Sequence, residues 1–156
     1  MQLLPIDAVD GESSGPRQQL ARQQLARLQE LLEAIAADNP FYRAKLGSAS
    51  GGSRDDYRRL PVTTKLELSD DQDRHPPYGT NLTYGPEHFI RVHQTSGTTG
   101  KRLRWLDTEE SWQWWGRCWR AVYEGAGLTA ADRLFFAFSF GPFVGFWSAH
   151  EGARHL

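Results

Sequence analysis

The segment from Thr95 to Lys101 constrains the fold most, because four hydroxyl side chains, two glycines and a lysine occupy seven consecutive positions. Glycine and hydroxyl residues favour tight turns over regular helices and strands. β-prone residues lie on both sides of it, from Phe89 to Gln94 and from Arg102 to Leu106. The sequence therefore predicts two strands joined by a tight turn.

The same seven residues have the chemistry of a phosphate-binding loop. Glycine lets backbone N–H groups approach an anion closely, hydroxyl groups donate to phosphate oxygens, and Lys101 adds a positive charge. The loop differs from a Walker A motif, because Thr95 stands where that motif has glycine and Arg102 follows the lysine. An ordinary hairpin turn accounts for the same residue types, so both interpretations stay open at this point.

Helical spacing recurs on both sides of the predicted hairpin. From Arg17 to Ala37 the chain is rich in strong helix formers. In that stretch Leu28, Leu31, Leu32 and Ile35 are spaced as one apolar face. The cap of this helix is expected at Ser13 or Ser14. Further helices are predicted over 41–46, 65–73 (capped by Thr63 or Thr64), from Thr108 or Ser111 to Glu124, and over 143–155.

The last third of the chain carries most of the aromatic residues that predict a core. Trp112, Trp115, Trp119 and Val122 follow helical spacing and predict a single buried face. The apolar run from Leu134 to Phe138 predicts a buried strand of a parallel sheet. Helices that alternate with buried strands predict an α/β fold.

Charge and composition exclude several classes of protein. The chain has 18 basic and 19 acidic side chains, and a net charge of −1 argues against nucleic acid or an anionic membrane as the main partner. The chain has no run of 18 apolar residues, so no membrane span is predicted. Its first residues do not resemble a signal peptide. Cys118 is the single cysteine, so no intrachain disulfide forms. We expect a soluble, cytoplasmic protein.

The loop and its flanking segments resemble a known family. The residues from Ser96 to Lys101, Ser-Gly-Thr-Thr-Gly-Lys, are similar to the phosphate loop of adenylate-forming enzymes, the AMP-binding or acyl-CoA synthetase superfamily. Five flanking segments resemble phenylacetate–CoA ligases in order and spacing: 39–43 with Leu46, 60–65, 91–93, 132–133 and 152–153. The resemblance covers residues 39–156.

The resemblance implies the fold class and domain organisation. The fold would be α/β, the N-terminal part of a large adenylation domain with an incomplete sheet flanked by helices. Residues 1–16 would be a disordered lead-in, residues 17–156 a partial AMP-binding domain, and the C-terminal domain would be absent. The family's adenine, ribose and catalytic-lysine elements come later in its sequences, so we expect either a truncated product or a complementing C-terminal chain that supplies them.

The resemblance also implies a reaction. The complete enzyme would use ATP and Mg²⁺ to convert an aryl or arylacetic carboxylic acid to acyl-AMP, and would transfer the acyl group to coenzyme A. We expect this chain alone to be inactive. Two alternatives stay open: delivery of the acyl group to a protein or carrier thiol, and a non-catalytic fragment that binds a partner through aromatic surface.

Site residues follow from the same resemblance. Those implied to bind the nucleotide are Thr95, Ser96, Gly97, Thr98, Thr99, Gly100 and Lys101, with Lys101 also catalytic. Those implied to line the acyl pocket are Phe138, Phe140, Gly141 and Phe143. No metal ligand is implied, and a zinc site at His150 and His155 is disfavoured by their i, i+5 spacing. Arg102 stands where the family often has proline, and His93 is expected either to orient phosphate or to make a structural hydrogen bond.

Overall fold

The computed structural model describes residues 15–47, 53–97, 100–139 and 141–156. The chain divides into two compact units, Met1–Thr63 and Thr64–Leu156. Nearly all of the predicted lead-in lies outside the described residues, and the predicted single partial domain stays a prediction. Within the described residues, none of the helices combines the length and apolar composition needed to traverse a lipid bilayer.

The first unit is helical where it is described. Its elements are α1 (Pro16–Asp38), α2 (Pro40–Leu46) and α3 (Arg54–Arg58). The predicted first and second helices are confirmed, whereas α3 was not predicted. Helix α1 follows Gly15, which gives no side-chain cap, and the caps predicted for it at Ser13 or Ser14 lie outside the described residues. Its apolar face is narrower than predicted, since Leu32 is buried but Leu31 is 55% exposed.

Asn39 separates α1 from α2 for a local reason. Pro40 disfavours helical backbone at the residue before it, and Asn39 has an extended backbone with φ of −101° and ψ of 107°. Its Oδ1 accepts a hydrogen bond from the N–H of Tyr42 at 3.1 Å, which caps α2. The side chain is 2% exposed. The predicted break at this Asn-Pro pair is therefore confirmed.

The second unit contains the predicted hairpin. Its elements are α4 (Lys65–Arg74), a 3₁₀ turn (Pro86–His88), β1 (Phe89–Gln94), β2 (Arg104–Thr108), α5 (Glu109–Gly125) and α6 (Val144–Arg154). The cap predicted for α4 is Thr64, which forms a reciprocal capping box with Glu67. Strand β2 begins two residues later than predicted. The two strands are antiparallel, with Gln94 opposite Arg104 and a bulge between Phe89 and Arg91.

The predicted strand from Leu134 to Phe138 is wrong. Within the described residues, the sheet consists of β1 and β2 alone, so this segment has no described strand to pair with. Its backbone instead makes a short-range hydrogen bond, from the N–H of Phe138 to the carbonyl of Phe136 at 2.9 Å. Phe135 is 90% exposed. The described part of the fold is nevertheless the predicted one, an incomplete sheet flanked by helices.

Helices α5 and α6 pack along a face that differs from the predicted one. The indole N–H of Trp119 donates to Ser148 Oγ at 3.0 Å, and the Tyr123 hydroxyl donates to the Ala149 carbonyl at 2.9 Å. Trp115 and Val122 were predicted to be buried, yet they are 40% and 58% exposed. The least exposed stripe runs instead through Trp112 and Gly116, which are buried, and Trp119 and Tyr123, which are half-buried. Gly116 leaves room for the His155 ring on this side.

We expect Gly152→Ala to destabilise the protein. A Cβ at Gly152 would collide with Trp119 Cβ and would lie 3.2 Å from the Trp119 backbone. Overpacking of this kind costs about 1–3 kcal/mol, measurable as a lower midpoint of urea unfolding at constant slope. Gly145→Ala, in the same helix, is the matched control, since nothing lies within 4 Å of its Cβ position. Equal midpoints for the two variants would contradict this packing.

Candidate functional site

The loop between β1 and β2 is closed by hydrogen bonds at its base. The N–H of Thr95 donates to the Leu103 carbonyl at 2.9 Å, and the Leu103 N–H donates to Thr95 Oγ1 at 3.0 Å. Leu103 is only 3% exposed, so its side chain anchors the loop in the core. The Thr95 hydroxyl oxygen therefore accepts a hydrogen bond from within the loop itself.

Two glycines give the loop its shape. Gly97 has φ of +71° and Gly100 has φ of +107°, a region that residues with a Cβ rarely adopt. The Gly100 N–H donates to the Gly97 carbonyl at 2.8 Å. Thr98 and Thr99, predicted to bind phosphate, lie outside the described residues. Ser96 is described and exposed.

Lys101 pairs with a carboxylate from α4. Its ammonium group donates to Asp73, and both side chains are more than half exposed, at 61% and 51%. The hydrogen bond and the charge of Asp73 raise the pKa of Lys101, so the lysine is cationic at neutral pH. No sequence pattern indicates this partner, which lies 28 residues earlier.

Gln72, the residue before Asp73, binds the backbone at the start of the second strand. The side-chain amide of Gln72 donates to the Arg104 carbonyl at 2.8 Å and accepts from the Arg104 N–H at 3.0 Å. The guanidinium group of Arg104 donates to the Pro77 carbonyl at 2.7 Å. The last turn of α4 thus satisfies both backbone groups of the first residue of β2.

The chain that leaves α4 is fixed by a buried carboxylate. Asp71 is 4% exposed, and it accepts hydrogen bonds from the Thr80 N–H at 2.6 Å and the Thr80 hydroxyl at 2.7 Å. Gly79 lies against the same carboxylate with φ of +80°, and a Cβ there would collide with it. Sequence reasoning missed Asp71, Gln72 and Asp73, since helix spacing does not reveal which distant segment a helix faces.

The predicted acyl-pocket segment lies beside the end of β1. The Gln94 N–H, one residue before the loop, donates to the Pro142 carbonyl at 2.6 Å. The indole N–H of Trp147 donates to the Gly141 carbonyl at 2.8 Å. The structure thus brings Gly141 next to the loop, while Phe140 lies outside the described residues.

Phenyl rings from this segment form a cluster with α6. Phe138 stacks on Phe146, with ring centroids 4.2 Å apart and an interplanar angle of 18°. Phe143 meets Phe146 edge-on at 5.9 Å and stays 38% exposed. Two of the predicted pocket residues therefore contact the same ring, that of Phe146, and the three rings form an apolar surface near the loop.

His93 is buried in β1, two residues before the loop begins. It is 3% exposed, its Nδ1 lies 3.2 Å from Asp107 Oδ2, and its ring stacks on Trp112 at 5.3 Å. The other oxygen of Asp107 accepts from the Ser111 hydroxyl at 3.0 Å. This arrangement ties the hairpin to α5 and favours a structural role for His93. No group of three or more His, Cys, Asp or Glu side chains suited to a metal occurs within the described ranges.

We expect Gln72→Ala to loosen the start of β2. The change removes both hydrogen bonds to Arg104, and a net value of about 1 kcal/mol predicts about fivefold faster exchange of the Arg104 amide hydrogen. Gln72→Glu keeps the acceptor and should preserve much of the protection. Gln113→Ala, which removes a hydrogen bond within α5, is the control. Unchanged Arg104 exchange in Gln72→Ala, measured by NMR, would contradict the assignment.

Relatives were found among characterised proteins. No protein-family model matches the chain. Phenylacetate-coenzyme A ligase from Escherichia coli (strain K12) is 32% identical over 157 residues, which cover 97% of this chain and 34% of that protein. Phenylacetate-coenzyme A ligase from Thermus thermophilus is 31% identical over 146 residues, covering 90% of this chain and 32% of that protein.

Solved structures agree with the sequence relatives. 2-Hydroxyisobutyryl-CoA ligase in complex with 2-HIB-AMP and CoA superimposes with a TM-score of 0.83 at 29% identity, over 90% of this chain and 31% of that one. The structure of the same ligase in the postadenylation state with 2-HIB-AMP gives a TM-score of 0.83 at 26% identity. The match covers 99% of this chain and 34% of that one. The chain thus spans about a third of the length of these relatives. By sequence and by fold, it is a phenylacetate–CoA ligase-like member of the adenylate-forming superfamily that corresponds to part of those proteins.

Proposed function

We propose that this chain supplies the phosphate-binding loop and part of the acyl pocket of an acid–CoA ligase. The observation that carries the proposal is the hydrogen bond between Gln94 and Pro142, which sets the glycine loop beside the phenyl cluster. An enzyme that joins a carboxylic acid to ATP needs these two sites next to each other. The relatives named phenylacetate-coenzyme A ligase support the same reaction.

The loop's role follows from where charge develops. A carboxylate oxygen of the acid attacks the α-phosphorus of ATP, the bond to the bridging oxygen breaks, and pyrophosphate leaves with the negative charge. Donors aimed at the β- and γ-phosphates stabilise that charge. We assign this role to the Ser96, Thr98 and Thr99 hydroxyls, the Lys101 ammonium and the Gly97 N–H. Gly100 shapes the loop, since its own N–H donates to the Gly97 carbonyl. Thr95 belongs to the site as the residue that closes the loop.

Lys101 reaches the phosphates only by leaving Asp73. The pair is exposed, so its net stabilisation is about 0–1 kcal/mol, and a multiply charged phosphate group outcompetes one carboxylate.

Mg²⁺ bound with the nucleotide would neutralise part of the phosphate charge. It typically keeps waters and uses few protein ligands, which fits a site built from hydroxyls and a lysine. The thiol of coenzyme A then displaces AMP from the acyl-AMP.

The phenyl cluster indicates the class of carboxylic acid that the site would accept. Phe138 and Phe143, with Phe140 and Gly141 between them, would surround an aryl or arylacetic side chain, and offset aromatic contacts stabilise such a ligand. The solved relatives carry 2-HIB-AMP, so the same fold accepts other acids. We therefore propose an aryl or arylacetic acid as the substrate class and a thiol, coenzyme A or a carrier protein, as the acceptor.

Complete ligation is proposed to need polypeptide beyond these residues, since the chain spans about a third of its relatives. Polypeptide that corresponds to the rest of those relatives, in the same chain or in a complementing C-terminal chain, would supply the remaining elements of the active site. Residues 17–156 would then act as one part of an adenylation domain in the cytoplasm. A partner-binding fragment without catalysis is the outcome if no nucleotide chemistry is found.

We expect Lys101→Ala to impair ATP use with little change in stability. In a ligase that carries these 156 residues, it should lower acid-dependent pyrophosphate release by about a hundredfold, because it removes a cation and leaves Asp73 unpaired beside the loop. The thermal midpoint should stay near that of the parent, since Lys101 is exposed. Lys45→Ala, in α2, is the matched control. Activity that survives both Lys101→Ala and Ser96→Ala would remove the phosphate assignment.

A further inference from the structure

A second cation of the loop, Arg102, lies across Gly97. The Arg102 Cγ is 2.7 Å from the position that a Cβ on Gly97 would occupy, and its Nε and Cδ are 3.6 Å and 3.7 Å away. The side chain is exposed. Its aliphatic part therefore fills the space that glycine leaves open, and its guanidinium group stays at the surface of the loop.

The cations on either side of Arg102 are held by other parts of the chain. Lys101 is paired with Asp73, and Arg104 donates to the Pro77 carbonyl. Within the part of the chain that the structure describes, no hydrogen bond or ion pair involves the Arg102 side chain. An anion that enters the loop can therefore engage Arg102 without displacing a described partner, whereas Lys101 must first give up a carboxylate.

We propose that Arg102 is a phosphate-binding residue of the loop, which engages the terminal phosphates of the nucleotide. The proposal rests on the function proposed for the loop and adds a residue to it. A guanidinium group presents N–H donors in a planar fork that matches two phosphate oxygens. Gly97 then has a second role, because any side chain there would push Arg102 off the loop.

The test uses inorganic tripolyphosphate and the 156-residue chain, with binding measured by isothermal titration calorimetry at low ionic strength, where charge contacts are least screened. Arg102→Ala should weaken binding by about tenfold, the loss expected for a charge-assisted hydrogen bond, and Arg102→Lys should restore part of it. The double variant Asp73→Ala/Lys101→Ala removes the neutral pair without changing net charge. It should also weaken binding, because Lys101 donates to the phosphates once it has left Asp73, but by less than Arg102→Ala, since that exchange gives up the Asp73 pair.

Arg133→Ala is the charge-matched control, since Arg133 is exposed and also loses one positive charge. Equal weakening in Arg133→Ala and Arg102→Ala would overturn the proposal, because it would show a net-charge effect. If Ser96→Ala weakens binding but Arg102→Ala does not, Arg102 is excluded while the loop remains a phosphate site. If the parent chain does not bind, or none of Ser96→Ala, Arg102→Ala and the double variant weakens binding, the loop itself is excluded. Circular dichroism of Arg102→Lys and Arg102→Ala checks that both keep the fold.

Discussion

A two-stranded hairpin is marginally stable in water by itself, so the helices around β1 and β2 decide whether the loop between them keeps its shape. Helix α4 contacts one side through Gln72, whose amide pairs with both backbone groups of Arg104. Helix α5 contacts the hairpin through Trp112, which stacks on His93. Both anchors are polar or aromatic contacts with defined geometry, so they fix the position of the strands.

The end of the chain depends on the hairpin in turn. The carbonyl of Pro142 accepts from Gln94 at the last residue of β1, and the phenyl cluster of Phe138, Phe143 and Phe146 follows from that attachment. Helix α6 continues from the cluster and packs on α5 through Ser148 and Ala149. The loop and the phenyl cluster therefore lie as neighbours in one compact unit, which is the arrangement that the proposed transfer of AMP to a carboxylic acid requires.

Local features of the fold could be predicted from the sequence, and nonlocal ones could not. Thr64 and Asn39 cap helices through bonds to residues three positions away, so their spacing is visible in the sequence. The segment 134–138 was wrongly predicted as a strand, because a strand needs a partner and no local pattern shows whether one is adjacent. The tryptophan face of α5 was predicted wrongly in part for a similar reason. Spacing predicted a single face, whereas the contact between His155 and Gly116 lies on a neighbouring one.

The candidate site shows the same division. The glycines at 97 and 100 were expected to turn the chain, and both have positive φ. The partners of the loop's cations were not expected, since Asp73 and Pro77 come from a distant segment, 28 and 27 residues before Lys101 and Arg104 respectively. The resemblance identified the loop and the phenyl segment separately, and their contact through Gln94 and Pro142 is known only from the structure.

The pairing of Lys101 with Asp73 has a consequence for which anions the loop admits. Asp73 acts as an intramolecular counterion, so an anion gains from Lys101 only what exceeds the pair's own stabilisation of about 0–1 kcal/mol. A singly charged anion gains little by that exchange, whereas a di- or triphosphate carries more charge and gains more. In the proposed ligase the acid substrate is itself a carboxylate, so the pairing of Lys101 with Asp73 would favour the nucleotide over the acid in the loop.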